Sequence, residues 1–244
     1  MGVVTSPSKD ALISPKPMVS GGRVVPKRIP YNEEDFQVIK YSTSPYSGWN
    51  EVAAVERGLK SIVKYIKEAG ISLVVLPGMG AKPLHKAIQI LCPDIPSLHC
   101  PALSKLGKKS QSEIDQIIGQ DIRLQQIAEE HKNGILFLDD AVCVGRTLFE
   151  IKTAMKRVFD IDVHTGALFV VGDGSSIQEG KYPDIKGTNI VHDHAPTWYF
   201  MHRDPELHGV EGDEALDIAV KEIAIIANNI AADLGIAIRP PCLY

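Results

Sequence analysis

Between Gly134 and Thr153 the chain reads GILFLDDAVCVGRTLFEIKT. Ile135 to Leu138 form an unbroken apolar run that leads into two carboxylates, Asp139 and Asp140. A turn ending in Gly145-Arg146-Thr147 follows, and then a stretch with helical character. An apolar run bounded by turn signals suits a strand covered on both faces, the condition of a parallel sheet. The carboxyl end of such a strand is where open α/β sheets hold ligands. Neighbouring strand residues point in different directions, so one acid can face a ligand's hydroxyls while the other turns toward a cation or the backbone. Val144 to Thr147 then present backbone N–H groups and a hydroxyl at a helix start, which is an anion site. A polyol binder followed by a phosphate cradle suits a sugar phosphate.

The flanking sequence repeats this strand–loop–helix grammar. Asp35 to Tyr41 has strand character, and Glu51 to Ala69 carries Val52, Val55, Leu59, Ile62, Val63 and Ile66 at helical spacing, with Gly70 as its stop. Ile71 to Leu76 is a second apolar strand, running into Pro77-Gly78-Met79-Gly80-Ala81-Lys82-Pro83-Leu84 and a helix over Leu84 to Leu91. Glycines there permit close backbone approach to a ligand, so this is a second anion loop, to which Lys82 adds a point charge. Ser97 to Leu103 reads as a short strand, Glu113 to Lys132 as one helix, Leu148 to Phe159 as the helix after the acidic motif, and Val163 to Val171 as another strand. Strands alternating with helices predict an α/β fold with a doubly wound parallel sheet, its two glycine-bearing loops at one edge. No fixed period repeats, which excludes solenoids.

Composition narrows the function classes. With 44% hydrophobic and 23% charged residues the chain is of ordinary globular type. A net charge of -4 gives no electrostatic reason to expect nucleic acid or an anionic membrane surface. No apolar run reaches the ~20 residues of a membrane helix, and the N-terminus has no signal-peptide pattern. Cys92, Cys100, Cys143 and Cys242 lack CxxC spacing, so free thiols and a cytoplasmic setting are expected.

The strand, the acid pair and the Gly/Thr loop together resemble the phosphoribosyl diphosphate motif of type I phosphoribosyltransferases. That resemblance spans roughly Glu51 to Val171. It implies that Asp139 and Asp140 sit at the ribose 2′- and 3′-hydroxyls and bind Mg²⁺, and that Ala141, Val142, Cys143, Val144, Gly145, Arg146 and Thr147 wrap the 5′-phosphate. It further implies that Gly78, Met79, Gly80, Ala81 and Lys82 hold the diphosphate. Ser104 to Ser112 corresponds to a flap whose Lys105 and Lys108, with Lys109, neutralise the departing diphosphate; the alternative is a solvated basic loop. The sequence departs from the family at Cys143 and Val144, where small hydroxyl-bearing or acidic residues are usual.

The expected organisation is an N-terminal arm over 1–30, a phosphoribosyltransferase-like core over 31–190, and a hood segment with a C-terminal helix over 191–244. In the hood, Trp198 or Tyr199 (or Phe200) would stack an acceptor ring. Two other readings stand beside that one: a transition-metal site drawn from His192, His194, His202 and His208, or plain packing. Asp213 to Leu234 is a long apolar helix, and with the arm it makes a homodimer the expected assembly. The resemblance implies transfer of a phosphoribosyl group from phosphoribosyl diphosphate to a nucleobase or other aromatic or nitrogen acceptor. The alternatives are a regulatory nucleotide-binding protein on the same fold, which Cys143 and Val144 favour, and a metal-dependent hydrolase centred on 192–208.

Overall fold

The computed structural model describes residues 19–20, 22–39, 50–103, 106, 109–131, 134–171, 177, 181–190 and 212–238. Its centre is a five-stranded parallel sheet of β1 (Leu73–Pro77), β2 (Ser97–Cys100), β3 (Ile135–Val142), β4 (His164–Val171) and β5 (Ile185–Ile190), in the order β2-β1-β3-β4-β5. Around it lie α1 (Glu51–Glu68), α2 (Lys82–Leu91), α3 (Gln111–Gln120), α4 (Ile122–Glu130), α5 (Arg146–Phe159) and α6 (Gly212–Leu234). From β1 the chain crosses through α2 to β2 in one direction, and from β3 through α5 to β4 in the other. Parallel crossovers keep one hand, so that reversal puts α2 and α5 on opposite faces. The expected doubly wound α/β architecture is therefore present, with its C-terminal helix.

Side-chain alternation along the strands divides the core in two. Val74, Leu76, Leu136 and Leu138 join the apolar stripes of α1, α2 and α6. Leu73, Val75, Ile135 and Phe137 join α3, α4 and α5 on the other face. All six apolar positions read for α1 are buried, and Asn50 caps the helix by accepting from the Ala53 amide at 3.0 Å. Helix α1 crosses β5 where Gly58 meets Gly187: a Cβ on Gly187 would lie 2.9 Å from the Gly58 Cα. α6 buries Leu216, Ile223, Ile226 and Ile230 in the cluster it shares with α1 and α2.

Residues 22–30 run along this helical face. Val24 and Ile238 exchange backbone hydrogen bonds at 2.8 and 2.9 Å. The Asn229 side chain grips Ile29 at both backbone groups, at 2.8 and 2.7 Å. Arg28 pairs with Asp233 and Glu56, which also hold Lys60.

Four sequence expectations change. The strand expected over Ser97 to Leu103 ends at Cys100, and Pro101–Leu103 is a 3-10 turn. Residues 35–39 are not a strand: Glu33–Asp35 is a 3-10 turn, and the amides of Gln37, Val38 and Ile39 donate to the Glu222 carboxylate of α6 at 2.5, 2.9 and 2.6 Å. Those donors are satisfied by a side chain instead of a neighbouring strand. The helix expected over Glu113 to Lys132 breaks at Asp121, which caps α4 by accepting from the Arg123 and Leu124 amides. Finally, Ile185–Ile190 adds an edge strand that the sequence reading leaves out. No helix among the described residues is long and apolar enough to cross a membrane.

Candidate functional site

The strand order reverses between β1 and β3, and open sheets of this kind take ligands at that switch point, outside the carboxyl ends of the strands. Both glycine-bearing loops lie there. Alternation along β3 sends Asp139 toward the α3–α5 face and Asp140 toward the α1–α2–α6 face. Asp140 is only 4% exposed. It lies under the loop after β1: a Cβ on Gly80 would come within 2.6 Å of Asp140 Oδ2. Glycine at 80 is thus what lets the loop close down on the acid. Sequence separates these two residues by a helix, a strand and two further helices; the fold joins them.

The acid pair is electrostatically costly. Burial, and then the adjacent Asp140 carboxyl, push the Asp139 carboxyl well above the usual carboxylate range. The Asp140 amide, which donates to Asp139 Oδ1 at 3.0 Å, offsets part of this. Two adjacent carboxyls that cannot both ionise cheaply form a site that favours a cation or a hydroxyl donor.

The helix starts at the switch point differ from those of α1, α3 and α4. α1, α3 and α4 are capped by the side chains of Asn50, Ser110 and Asp121. α2 begins after Ala81 and α5 after Gly145, and neither has a side-chain cap. In α2 the Lys82 N–H is taken by the Met79 carbonyl at 3.1 Å and Pro83 has none, so Leu84 is the first-turn donor left there. α5, by contrast, begins with the amides of Arg146, Thr147 and Leu148. The positive ends of both helix dipoles are directed at the carboxyl edge of the sheet. Gly145 has φ +72°, and a Cβ there would lie 3.2 Å from Ile177 Cγ2 and from Lys181 Cβ. Ile177 and Lys181 therefore cover one side of the second loop at Gly145, with Lys181 Nζ 5.2 Å from the Phe149 ring centre. Val144 stands 54% exposed at the tip of that loop, while Val142 is buried and Cys143 partly so.

Other expected site residues fall as follows. Gly78, Met79 and Gly80 are half-buried and Ala81 fully so. Ala141 and Thr147 are half-buried, and Arg146 is exposed beside Glu150. Lys82, read as a point charge for an anion, is paired with Asp217 of α6 at 2.6 Å. Lys105, Lys108, Trp198, Tyr199 and the histidines between 192 and 208 lie outside the described residues. Cys92 and Cys100 are buried free thiols, each pushed up to about 11 by burial, hence unreactive. Among the described residues no group of three or more His, Cys, Asp or Glu side chains converges as a metal cage.

Two residues at this edge carry no signal in the sequence. His99, in the short strand SLHC, donates from Nε2 to the Gly78 carbonyl at 2.7 Å. Asp217 is an exposed helical acid whose role shows only in its pairing with Lys82.

The sequence matches no family model and no curated protein. Solved structures that superpose on the chain include a purine phosphoribosyltransferase from Pyrococcus horikoshii Ot3, at 12% identity and a TM-score of 0.38, covering 57% of this chain and 88% of that one. They also include a phosphoheptose isomerase from Francisella tularensis, at 14% identity and a TM-score of 0.33, covering 74% and 85%. Superpositions this loose carry no functional weight, and the architecture rests on strand order and crossovers.

Proposed function

We propose that this chain is a phosphoribosyltransferase that binds phosphoribosyl diphosphate at the β1/β3 switch point and transfers its 5-phosphoribosyl group to a nucleobase or similar nitrogen acceptor. One observation carries the reading: the two helices that follow the switch-point strands start without side-chain caps, and Asp140, on the strand that leads into the second, lies beneath Gly80 in the loop that leads into the first. Two anion sites flanking a polyol-binding acid pair match a ligand with a diphosphate, a ribose and a 5′-phosphate. In the reaction the bond from C1 to the diphosphate oxygen breaks and a bond from C1 to the acceptor nitrogen forms. The Gly78–Lys82 loop receives the leaving diphosphate through the amides of Met79, Gly80 and Ala81, since those of Gly78 and Lys82 donate to the Cys100 and Met79 carbonyls. Gly145 to Thr147 hold the 5′-phosphate, and Asp139 and Asp140 orient the ribose hydroxyls and balance positive charge on the ring.

The acid pair also fits magnesium. A hard cation of this size takes one or two carboxylates and completes its shell with water and substrate oxygens, so no all-protein cage is required. Asp139 and Asp140 would hold it, and their mutual repulsion is what a divalent charge relieves. Bound there, the ion supplies charge neutralisation on the diphosphate.

A second reading, a phosphoribosyl- or nucleotide-binding protein that does not catalyse transfer, draws on two features. Val144 replaces a hydroxyl donor at the exposed loop tip, and Asp140 lies beneath Gly80. Diphosphate release from phosphoribosyl diphosphate and Mg²⁺, assayed against a panel of nucleobases and amine acceptors, separates the two. Release that depends on one acceptor and disappears in the Asp139→Asn, Asp140→Asn double variant establishes the transferase. Binding without release establishes the second reading, and neither would refute both.

A further inference from the structure

Gly78 opens the first anion loop and is held at both of its backbone groups by β2. Its N–H donates to the Cys100 carbonyl at 3.2 Å, and its carbonyl accepts from His99 Nε2 at 2.7 Å. A carbonyl can only accept, so His99 carries its proton on Nε2. The ring is itself braced: it stacks on His85 of α2, with centroids 5.8 Å apart and planes 26° apart, and His85 Nε2 donates to the Ser97 carbonyl at 3.3 Å.

This bracing has a directional consequence. No cis peptide occurs among the described residues, and across a trans peptide the C=O of one residue and the N–H of the next point in opposite senses. With the Gly78 carbonyl turned toward His99 on β2, the Met79 N–H is turned away from β2, the side on which β3 and its acid pair lie. Gly78, at φ +84°, has the backbone freedom to let this peptide rotate were the histidine absent.

We propose that His99 is the positioning residue of the diphosphate loop: by holding the Gly78 carbonyl it aims the Met79 amide at an anion bound at the switch point. The inference rests on the phosphoribosyl diphosphate reading and names a residue that acts through the backbone without touching the ligand.

The test uses inorganic diphosphate as the probe, titrated calorimetrically into wild-type protein, His99→Leu and His99→Gln. The expected result is about tenfold weaker binding in His99→Leu, a typical return for one lost charge-assisted donor. His99→Gln, which keeps an N–H donor, recovers most of that affinity. Alongside, the Met79 amide resonance shifts on adding diphosphate in wild type and in His99→Gln, but not in His99→Leu. Equal affinity in the folded His99→Leu protein overturns the proposal, as does a His99→Gln protein no better than His99→Leu. Should His99→Leu fail to fold, the wild-type resonance decides, and a Met79 amide that diphosphate leaves unmoved contradicts the inference. A wild type that binds no diphosphate at all instead removes the reading of the site itself.

Discussion

Asp184 and Asp139 stand toward opposite ends of one sheet, and their surroundings pull them in opposite directions. Burial alone would raise Asp184, but the Lys152 ammonium at 3.0 Å and the Thr165 amide at 2.7 Å outweigh it and hold the carboxyl below its ordinary value. Asp139 is pushed up by burial and by Asp140. Other polar groups at the amino end also find partners: Tyr65 Oη lies 2.8 Å from His164 Nδ1, and Ser72 Oγ lies 3.1 Å from His131 Nδ1. At the carboxyl end the acids repel each other and two helix starts go without side-chain caps. Polar groups at the first end stabilise the fold; those at the second lower its stability and leave capacity for a ligand.

The largest effect is expected where the amino end is tightest. Gly134 enters β3 at φ +91°, and a Cβ there would sit 2.8 Å from the Gly70 carbonyl oxygen. A side chain in left-handed backbone costs about 1–2 kcal/mol, and crowding against main chain adds overpacking of about 1–3 kcal/mol. Gly134→Ala should therefore lower the urea midpoint markedly; an unchanged midpoint would show that this strand entry is not fixed by the close approach.

Asp184→Ala comes next. It leaves the Thr165 amide and a buried hydroxyl without their acceptor, for about 1–3 kcal/mol at neutral pH. Because the folded carboxyl is depressed, its contribution is present above the unfolded value of about 3.9 and is lost as pH falls through the folded one. The gap between wild type and variant should narrow below about pH 4. A gap independent of pH would assign the effect to packing.

The smallest effect belongs to the boundary between the two roles. Lys82 and Asp217 form an exposed, solvent-screened pair. Freeing Lys82 in Asp217→Asn should tighten diphosphate binding by up to about fivefold. Weaker binding would mean that the pair supports the loop and does not compete with the anion.

The elements with unbroken periodicity were legible in the sequence. α1 and α6 show helical stripes, and β1, β3 and β4 show apolar runs because helices cover both their faces. β5 was not legible, since IKGTNI at a half-exposed edge has neither a run nor a clean alternation, and Gly187 is there to admit α1. Residues 35–39 misled because the amides of Gln37, Val38 and Ile39 are answered by Glu222, more than 180 positions away. At the site the residue types and their order were readable. Their juxtaposition was not: Gly80 on Asp140, His99 on Gly78 and Lys82 on Asp217 are all products of the crossovers.

Thermal unfolding of wild type and Asp139→Asn at neutral pH, each with and without phosphoribosyl diphosphate and Mg²⁺, tests the contrast most directly. Asparagine keeps the acceptor for the Asp140 amide and removes the repelling charge. The ligand-free variant should melt higher, by roughly 2–4 °C for about 1 kcal/mol in a chain of this size, and the ligand should raise the midpoint of wild type but not of the variant. A variant that melts lower without ligand, or that the ligand stabilises as much as wild type, would contradict the assignment of the β1/β3 edge as a phosphoribosyl site.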